Sequence, residues 1–288
     1  MTRTGECFPR VSVVIPCYND GKYLPEAVAS VKAQTYPELE IVIVDDHSTA
    51  QDTQDILSAM KQAGCTVLTA PEGKKGAAAA RNAGIARATG DFILPLDADD
   101  KIDPTYIDKA VAAFKADPAL VICGCGVRFF GLRGHAFAQP PLTLTALILE
   151  DYKLVASCLY RKSDWERVGG YDESLALGKE DMIFWLDLLE AGGGVAVLPE
   201  ELFFYRIRPR SITAEVRGAP TEREKLTAMY QARPELFHRH TIDFMDALAR
   251  RRAESARREC LFSWKLLAPV FKMEWFLRQC AKRVLGRA

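Results

Sequence analysis

The sequence contains few of the residues that build metal–thiolate or disulfide sites. Its 8 cysteines include no Cys-x-x-Cys pair, and its 4 histidines form no cluster beside them, so a structural zinc site is not expected. Several cysteines lie in apolar, strand-like runs, where free cysteine behaves as a small hydrophobic residue. A reducing, cytoplasmic setting is the simplest expectation.

Long apolar runs and two nucleotide-binding fingerprints are also missing. No stretch approaches the roughly 18 to 20 apolar residues that span a bilayer, and the first ten residues show no signal-peptide core. We therefore expect a protein that is soluble or lies on the inner face of the membrane. No G-x-G-x-x-G follows the first predicted strand, and no G-x-x-x-x-G-K-[ST] occurs anywhere, which argues against Rossmann dinucleotide and P-loop sites.

The chain has no excess of either charge, since 38 Lys and Arg residues balance 38 Asp and Glu residues. The balance conceals an asymmetry, because residues 250–288 contain 11 basic and 3 acidic residues. The sequence therefore combines an acidic body with a basic tail. We do not expect nucleic-acid binding from an acidic body.

Apolar strands alternate with helical patterns through the first half of the chain. Strands apolar on both faces, separated by such helices, predict βαβ units and a parallel sheet covered on both sides. A turn is predicted at 169–175, and the chain reads as helical from about residue 221. The predicted strands are 11–16, 40–46, 65–70, 92–96 and 119–127, with a strand, turn and strand over 194–208. The predicted helices are 24–34, 52–63, 76–90, one capped by Asp103 that runs to about 117, and 178–193.

Polar residues follow three of these strands. The strand "FILPL" runs into Asp97-Ala98-Asp99-Asp100, "EIVIV" into Asp45-Asp46, and "VSVVIP" into Cys17-Tyr18-Asn19-Asp20. Ligands of parallel sheets bind at the carboxyl ends of the strands, so we expect one shared polar rim. Crowded carboxylates raise each other's pKa unless a cation offsets them. Without histidine ligands nearby, Asp-x-Asp at this place predicts Mn²⁺ or Mg²⁺ bridging a diphosphate.

Six segments, in this order, resemble family 2 glycosyltransferases. The resemblance covers residues 9 to 213 and implies an α/β fold of the GT-A type, with a Rossmann-like, mostly parallel sheet flanked by helices. It also implies an inverting enzyme that uses nucleotide-diphospho-sugars. The segments are "VSVVIPCYN" at 11–19, "IVIVDDHST" at 41–49, "GAAAARNAGI" at 76–85, "LPLDADD" at 94–100, "GGYDESL" at 169–175 and "KEDMIFWL" at 179–186.

The resemblance implies nucleotide contacts for four residues before the acidic loop. Pro16 and Tyr18 would contact the nucleobase, Tyr18 by stacking, and Asp46 would accept a hydrogen bond from the base. Arg81 would lie near the nucleotide and the diphosphate. From the residues alone, Tyr18 could equally be a packing residue, and Arg81 reads as a solvated helix residue.

The resemblance also implies a metal site and a catalytic base. Asp99 would hold the ribose and approach the metal, and Asp100 would be the principal metal ligand. Asp97 would have only a role in the turn or in supporting these residues. Asp181 would be the base that takes the acceptor's proton. The alternative is a purely structural role, because the helix dipole favours acidic residues such as Asp181 in the first turn.

Three departures from the family pattern bear on the site. His47 stands where Gly is usual, and we interpret it as a turn variant, because His tolerates an unusual backbone better than most residues. Arg208 stands where many relatives have His; it offers a fork for phosphate but cannot ligate a metal. The Gln-x-x-Arg-Trp motif of processive synthases is absent, which favours transfer of a single sugar.

We therefore predict a glycosyltransferase domain over 1–215, with a nucleotide-binding half at about 9–127 and an acceptor half at about 128–215. Residues 216–288 form a helical, basic extension. The expected donor is a nucleotide-sugar, first of all a UDP-sugar, and the acceptor is a sugar or a lipid-linked sugar in surface polysaccharide or glycolipid assembly. The alternatives are a sugar-phosphate nucleotidyltransferase and a non-catalytic nucleotide-sugar-binding or membrane scaffold protein.

The basic tail has two interpretations. Arg and Lys clusters mixed with five bulky aromatic residues over 262–276 suit helices on an anionic membrane surface. The same pattern suits ordinary helices that pack on the catalytic domain and leave their basic face in water.

Overall fold

Strands and helices alternate over residues 11–116, as the sequence predicts. The computed structural model describes residues 8–131, 136–137, 147, 154–175, 179–208, 222–250, 252–253 and 257. The first elements are β1 (Val11–Cys17), α1 (Leu24–Lys32), β2 (Leu39–Asp45), α2 (Gln51–Gln62), β3 (Thr66–Thr69), α3 (Ala77–Arg87), β4 (Phe92–Pro95), β5 (Lys101–Ile102) and α4 (Tyr106–Ala116).

The later elements are a mixture of strands and helices. They are β6 (Leu120–Gly131), β7 (Ala136–Phe137), β8 (Tyr160–Arg161), α5 (Lys162–Val168), α6 (Glu180–Glu190), β9 (Gly194–Ile207), α7 (Glu222–Ala232) and α8 (Pro234–Arg239). Residues 241–250 are also helical. Among the described residues, no helix combines the length and the apolar character needed to cross a bilayer.

The main sheet has five strands in the order β3-β2-β1-β4-β8. Its first four strands are parallel, and only β8 joins antiparallel, through Tyr160 and Arg161 against β4. The prediction of a mostly parallel sheet is confirmed. Along β1, Val13 and Ile15 pack with the apolar faces of α1 and α4, whereas Val14 packs with α3 and α6. Helices therefore cover both faces of the sheet, as the doubly apolar strands predict.

A second, four-stranded sheet has the order β5-β9-β6-β7. Its centre is the long parallel pair of β6 and β9, which runs from Leu120 opposite Gly194 to Gly131 opposite Ile207. The predicted strand, turn and strand over 194–208 is instead one strand. Its register slips where Cys125 faces Leu198 and the next residue, Gly126, faces Glu201. The slip leaves Pro199 outside the hydrogen-bond ladder between the strands, to which proline cannot donate because it has no N–H.

The predicted cap of α4 is wrong by two residues, because the observed N-cap is Thr105. Asp103 does not cap a helix there; its Oδ1 accepts hydrogen bonds from the backbone N–H (2.9 Å) and the hydroxyl (2.7 Å) of Thr105. This local turn satisfies the side chain, and the helix begins at Tyr106.

The chain divides into two compact units, residues 1–237 and 238–288. This division lies later than the predicted boundary near residue 215. Within the first unit, Nε and Nη2 of Arg233 donate to Oδ1 and Oδ2 of Asp187 on α6, each at 2.8 Å. Of the predicted extension 216–288, residues 216–221, 251, 254–256 and 258–288 lie outside the described residues, as does most of 132–153 in the predicted acceptor half.

Candidate functional site

The carboxyl ends of β1, β2 and β4 meet at one edge of the main sheet, because these strands are neighbours in the order β2-β1-β4. Hydrogen bonds join the loops that follow β1 and β2. The N–H of Asp46 donates to the carbonyl oxygen of Cys17 at 2.9 Å, and the N–H of Asn19 donates to Ser48 Oγ at 3.0 Å. The structure therefore confirms that the three strand ends lie side by side at one edge of the sheet.

The loop after β1 is held by Asn19, whose φ of 54° lies in the left-handed region. Its Oδ1 accepts from the backbone N–H groups of Thr49 (2.8 Å) and Ala50 (2.9 Å), which ties the first loop to the second. Beside it, Tyr18 is 50% exposed, and Pro16 is partly buried at the end of β1. An exposed ring fits stacking better than packing, and the nucleobase contacts of both residues stay predictions.

Asp46 presents an unpaired acceptor at this rim. Its Oδ2 accepts from the N–H of Gly76, at the start of α3, at 2.9 Å. Its Oδ1 is buried and has no hydrogen-bond partner in the described part of the chain. Burial raises the pKa of Asp46. The adjoining His47 has a φ of 62°, which agrees with its interpretation as a turn variant.

The acidic loop after β4 is tied to the end of β9. Asp100 is 2% exposed, and its Oδ1 accepts from the backbone N–H of Arg206 at 2.8 Å. The Nε–H of Arg206 donates to the carbonyl oxygen of Asp99 at 2.7 Å. Burial, and then the charges of Asp97 and Asp99, raise the pKa of Asp100 well above its ordinary value. The loop therefore holds negative charges that its own contacts do not fully offset.

The carboxylate of Asp99 forms an ion pair with the guanidinium of Arg208. Its Oδ2 lies 2.8 Å from Nε of Arg208, and Arg208 Nη1 donates to Asp20 Oδ1 at 2.5 Å. Burial and the charge of Asp97 raise the pKa of Asp99 to about 6, while Arg208 acts in the opposite direction. Arg208, whose role the sequence left open, is thus an ion-pair partner of the acidic loop.

The donor set fits a divalent ion that takes most of its ligands from a diphosphate and water. The described residues contain no group of three or more His, Cys, Asp or Glu side chains arranged to hold a metal. Mg²⁺ sites of this kind need only one or two carboxylates from the protein. Asp99 and Asp100 each use one oxygen in the contacts above, and a carboxylate has two. The raised pKa of both groups would be relieved by a bound cation.

Asp181 lies in the first turn of α6, whose preceding residue, Lys179, has a φ of 75°. The N–H of Met182 donates to Asp181 Oδ1 at 2.7 Å, and the side chain stays partly exposed. Burial and the adjacent Glu180 raise the pKa of Asp181 to about 6, while Arg81 and the Met182 N–H oppose the rise. Such a carboxylate is ionised at neutral pH yet basic enough to accept a proton.

Arg81 is 3% exposed, so its interpretation as a solvated helix residue is wrong. Its Nη1 donates to Glu180 Oε1 at 2.8 Å, and its Nη2 donates to Asp97 Oδ1 at 2.9 Å. Burial alone would lower the pKa of Arg81, but the facing carboxylates of Asp97 and Glu180 raise it above its ordinary value. The predicted contact of Arg81 with the diphosphate stays a prediction.

The site also includes residues for which the sequence predicts no role. Arg206 anchors the acidic loop, Asn19 joins two of the rim loops, and Glu180 is a partner of Arg81. Asn19 carried a signal, because Asn is enriched in left-handed turns. The backbone contact of Arg206 carried none, since any residue could donate that N–H.

Comparison with known proteins gives a consistent result. The sequence profile described as "Glycosyl transferase family 2" matches residues 12–163. Glycosyltransferase GlyG of Streptococcus pneumoniae is 28% identical over 225 residues, which cover 70% of this chain and 72% of that protein.

Two solved structures share the fold. The structure of Staphylococcus aureus TarS with UDP-GlcNAc matches with a TM-score of 0.62 at 21% identity, over 83% of this chain and 79% of that one. The mannosyltransferase PcManGT of Pyrobaculum calidifontis, solved with GDP-Man and Mn²⁺, matches with a TM-score of 0.56 at 19% identity, over 98% and 89%. With the profile covering more than half of its length, the chain belongs to glycosyl transferase family 2.

Proposed function

We propose that the protein is an inverting, metal-dependent glycosyltransferase that moves one sugar from a nucleotide-diphospho-sugar to an acceptor hydroxyl. The observation that carries the proposal is a partly buried carboxylate, Asp181, whose neighbour Glu180 is joined through Arg81 to the acidic loop at the sheet rim. A proton acceptor and a diphosphate-binding loop are the two parts that such a transfer requires.

In this reaction Asp181 takes the proton of the acceptor hydroxyl as the hydroxyl oxygen attacks the anomeric carbon. The bond between that carbon and the diphosphate oxygen breaks, and the nucleoside diphosphate leaves with the bonding electrons. One carboxylate acts as base and none acts as nucleophile, so a single displacement inverts the anomeric configuration.

Asp99 and Asp100 are the proposed ligands of the divalent cation, Mn²⁺ or Mg²⁺. When bound, the cation would neutralise charge on the leaving diphosphate. Support comes from the raised pKa of both carboxylates and from the Mn²⁺ in the PcManGT structure. Asp99 is also the proposed ribose contact, which the resemblance implies.

The base-binding part of the proposal involves Tyr18, Asp46 and Pro16. The unpaired Oδ1 of Asp46 fits a nucleobase that presents a ring N–H, and the exposed ring of Tyr18 fits a stacked base. Uracil and guanine both carry such an N–H. A UDP-sugar is the first choice because TarS was solved with UDP-GlcNAc, and a GDP-sugar is the second because PcManGT was solved with GDP-Man.

The acceptor is proposed to be a sugar or lipid-linked sugar in surface polysaccharide or glycolipid assembly on the cytoplasmic side of the membrane. The support is the name of a relative: TarS of Staphylococcus aureus, 26% identical over 204 residues, is described as a poly(ribitol-phosphate) beta-N-acetylglucosaminyltransferase. The absent Gln-x-x-Arg-Trp motif supports the addition of one sugar per acceptor.

The test is release of nucleoside diphosphate from a panel of UDP- and GDP-sugars, with and without Mn²⁺. We expect metal-dependent release from one donor, and a melting temperature that rises with that donor through mass action. Asp181→Asn should reduce release by at least about a hundredfold, because general-base catalysis contributes 10²- to 10⁴-fold. Asp100→Ala should also reduce release, because it removes a proposed ligand of the cation that would neutralise the leaving diphosphate.

The matched control is Asp55→Asn, the same change at an exposed carboxylate on α2 that accepts from Gln51. It should leave release unchanged. Release of pyrophosphate from a nucleoside triphosphate would instead identify a nucleotidyltransferase. Wild-type release by both site variants would show that these site assignments are wrong.

A further inference from the structure

Arg81 is an almost completely buried arginine beside the rim. It projects from α3 and is 3% exposed, and its two terminal nitrogens donate to carboxylates on different segments. Burying a guanidinium requires compensation by paired, hydrogen-bonded partners, and removal of one member leaves an uncompensated buried charge. The arrangement is therefore specific: each segment is held relative to the other by one side chain.

The two segments are the ones that carry the reaction. Asp97 opens the acidic loop that continues to Asp99 and Asp100, and Glu180 precedes Asp181 in the first turn of α6. The guanidinium carbon also lies 5.7 Å from the ring centre of Tyr171, in the turn before α6. Arg81 is thus enclosed by the acidic loop, by α6 and by that turn.

We propose that Arg81 is a positioning residue for Asp181: it fixes the first turn of α6 against the acidic loop, and its charge keeps the carboxylate of Asp181 ionised. This inference rests on the proposed function, in which Asp181 is the base. It assigns Arg81 a role that acts through Glu180 and Asp97 and needs no contact with the donor.

The charged and titratable groups around Asp181 set the sign of the pH dependence. Removing the positive charge of Arg81 should raise the pKa of Asp181, so activity should be lost at a higher pH on acidification. Removing the negative charge of Glu180 should do the opposite. The groups that face Asp181 are Glu180 on its own helix, Arg81 on α3, Asp97 after β4, Tyr171 in the turn before α6 and Cys158 before β8.

The experiment compares kcat against pH for three variants. Arg81→Met should move the acid limb up by about one pH unit and lower kcat at the optimum roughly tenfold to a hundredfold, since it removes both charge and placement. Arg81→Lys keeps the charge but loses the fork, so kcat should fall while the acid limb stays near that of the wild type. Glu180→Gln should move the limb to lower pH by about one unit.

The matched control is Arg233→Met, which removes a partly exposed arginine that pairs with the other end of α6. Arg233 pairs with Asp187 on α6 and with Asp172. It should lower stability and leave the acid limb in place. If Arg81→Met does not fold, as judged by circular dichroism, the other two variants carry the test: Arg81→Lys should lower kcat with the acid limb in place, and Glu180→Gln should move the limb to lower pH. An acid limb that is the same in Glu180→Gln and in wild type overturns the inference.

Failure of the inference and failure of the proposed function give different results. Asp181→Asn with wild-type transfer would remove the base itself and with it the role of Arg81. An inactive Asp181→Asn, together with acid limbs unmoved in the Arg81→Met and Glu180→Gln variants, would leave the base in place and reject Arg81 as its positioning residue.

Discussion

At the scale of single residues, folding disfavours the ionised form of Asp181, which is the form that would act as the base. Its pKa in the folded protein is about 6, above the ordinary 3.8, chiefly through burial and the neighbouring Glu180. The folded state therefore binds this proton more tightly than the unfolded state does. The stability that comes from this group is fully present below pH 3.8 and is lost as pH rises through about 6.

It follows that Asp181→Asn should make the protein more stable at pH 7.5 while abolishing transfer. The expected gain in the free energy of unfolding is about 2 kcal/mol, allowing for partial exposure, and it should shrink towards zero as pH falls from 6 to 4. Urea unfolding at pH 7.5 and 4.5 measures it. Asp187→Asn, on the same helix, should lose stability instead because it weakens the fork from Arg233. Equal losses in both variants would contradict the argument.

Residue roles differ in how far the sequence reveals them. Asp99 and Asp100 stand out because they crowd the end of a buried strand. Asp181 stands out only through the family resemblance, since most of the described helices have an acidic residue in the first turn. Arg81 does not stand out, since an arginine on an alanine-rich helix is equally compatible with solvent. Its burial depends on Asp97 and Glu180, which lie 16 and 99 residues away along the chain. Only the fold brings such distant partners together.

At the scale of elements, helix α3 determines where Arg81 lies, and Gly84 lets α3 approach the sheet. A Cβ added at Gly84 would lie 2.4 Å from Val14 Cγ1 and 2.8 Å from Val44 Cγ2. Both valines are completely buried in the sheet. The helix must move if this position gains a methyl group, because neither side chain has room to yield.

We therefore expect Gly84→Ala to destabilise the protein by about 1 to 2 kcal/mol. Overpacking costs roughly 1 to 3 kcal/mol, and the better helix propensity of alanine returns at most about 1. Ala86→Ser, on the exposed face of the same helix, should change stability by less than about 0.5 kcal/mol. Thermal unfolding of both variants measures the difference, and a stabilised Gly84→Ala would refute the close approach.

The elements themselves were predictable where periodicity was strong. The predicted helix at 76–90 is α3 at 77–87, and the strand at 40–46 is β2 at 39–45. The second sheet was not predictable, because β9 pairs with β6 across more than 60 residues of sequence. The sequence around Pro199 read as a turn, since a proline normally ends a strand. In the fold, a register slip accommodates it.

At the scale of the whole molecule, the division of charge sets up a question about the basic tail. Residues 250–288 contain 11 basic and 3 acidic residues, whereas the chain as a whole is balanced. Each Arg or Lys near an anionic leaflet contributes about 1 kcal/mol, and this attraction falls within a Debye length as salt rises. Helices packed on the catalytic domain would gain nothing from anionic lipid. The two interpretations therefore differ in a measurable way.

We expect the 288-residue chain to bind vesicles that contain anionic lipid and not vesicles of zwitterionic lipid alone. Changing four tail arginines to glutamine should weaken sedimentation with anionic vesicles by at least tenfold, with a reduced dependence on salt. The changed residues are Arg251, Arg252, Arg257 and Arg258.

The control removes four exposed charges from the body by the same substitution and should bind as the wild type does. These residues are Lys32, Lys61, Arg87 and Lys115. If both variants bind the vesicles equally weakly, the loss of net charge explains the weaker association, and the position of the charges in the tail does not. If neither the wild type nor the control sediments with anionic vesicles, the tail does not serve as a membrane contact, and packing on the catalytic domain becomes the better interpretation.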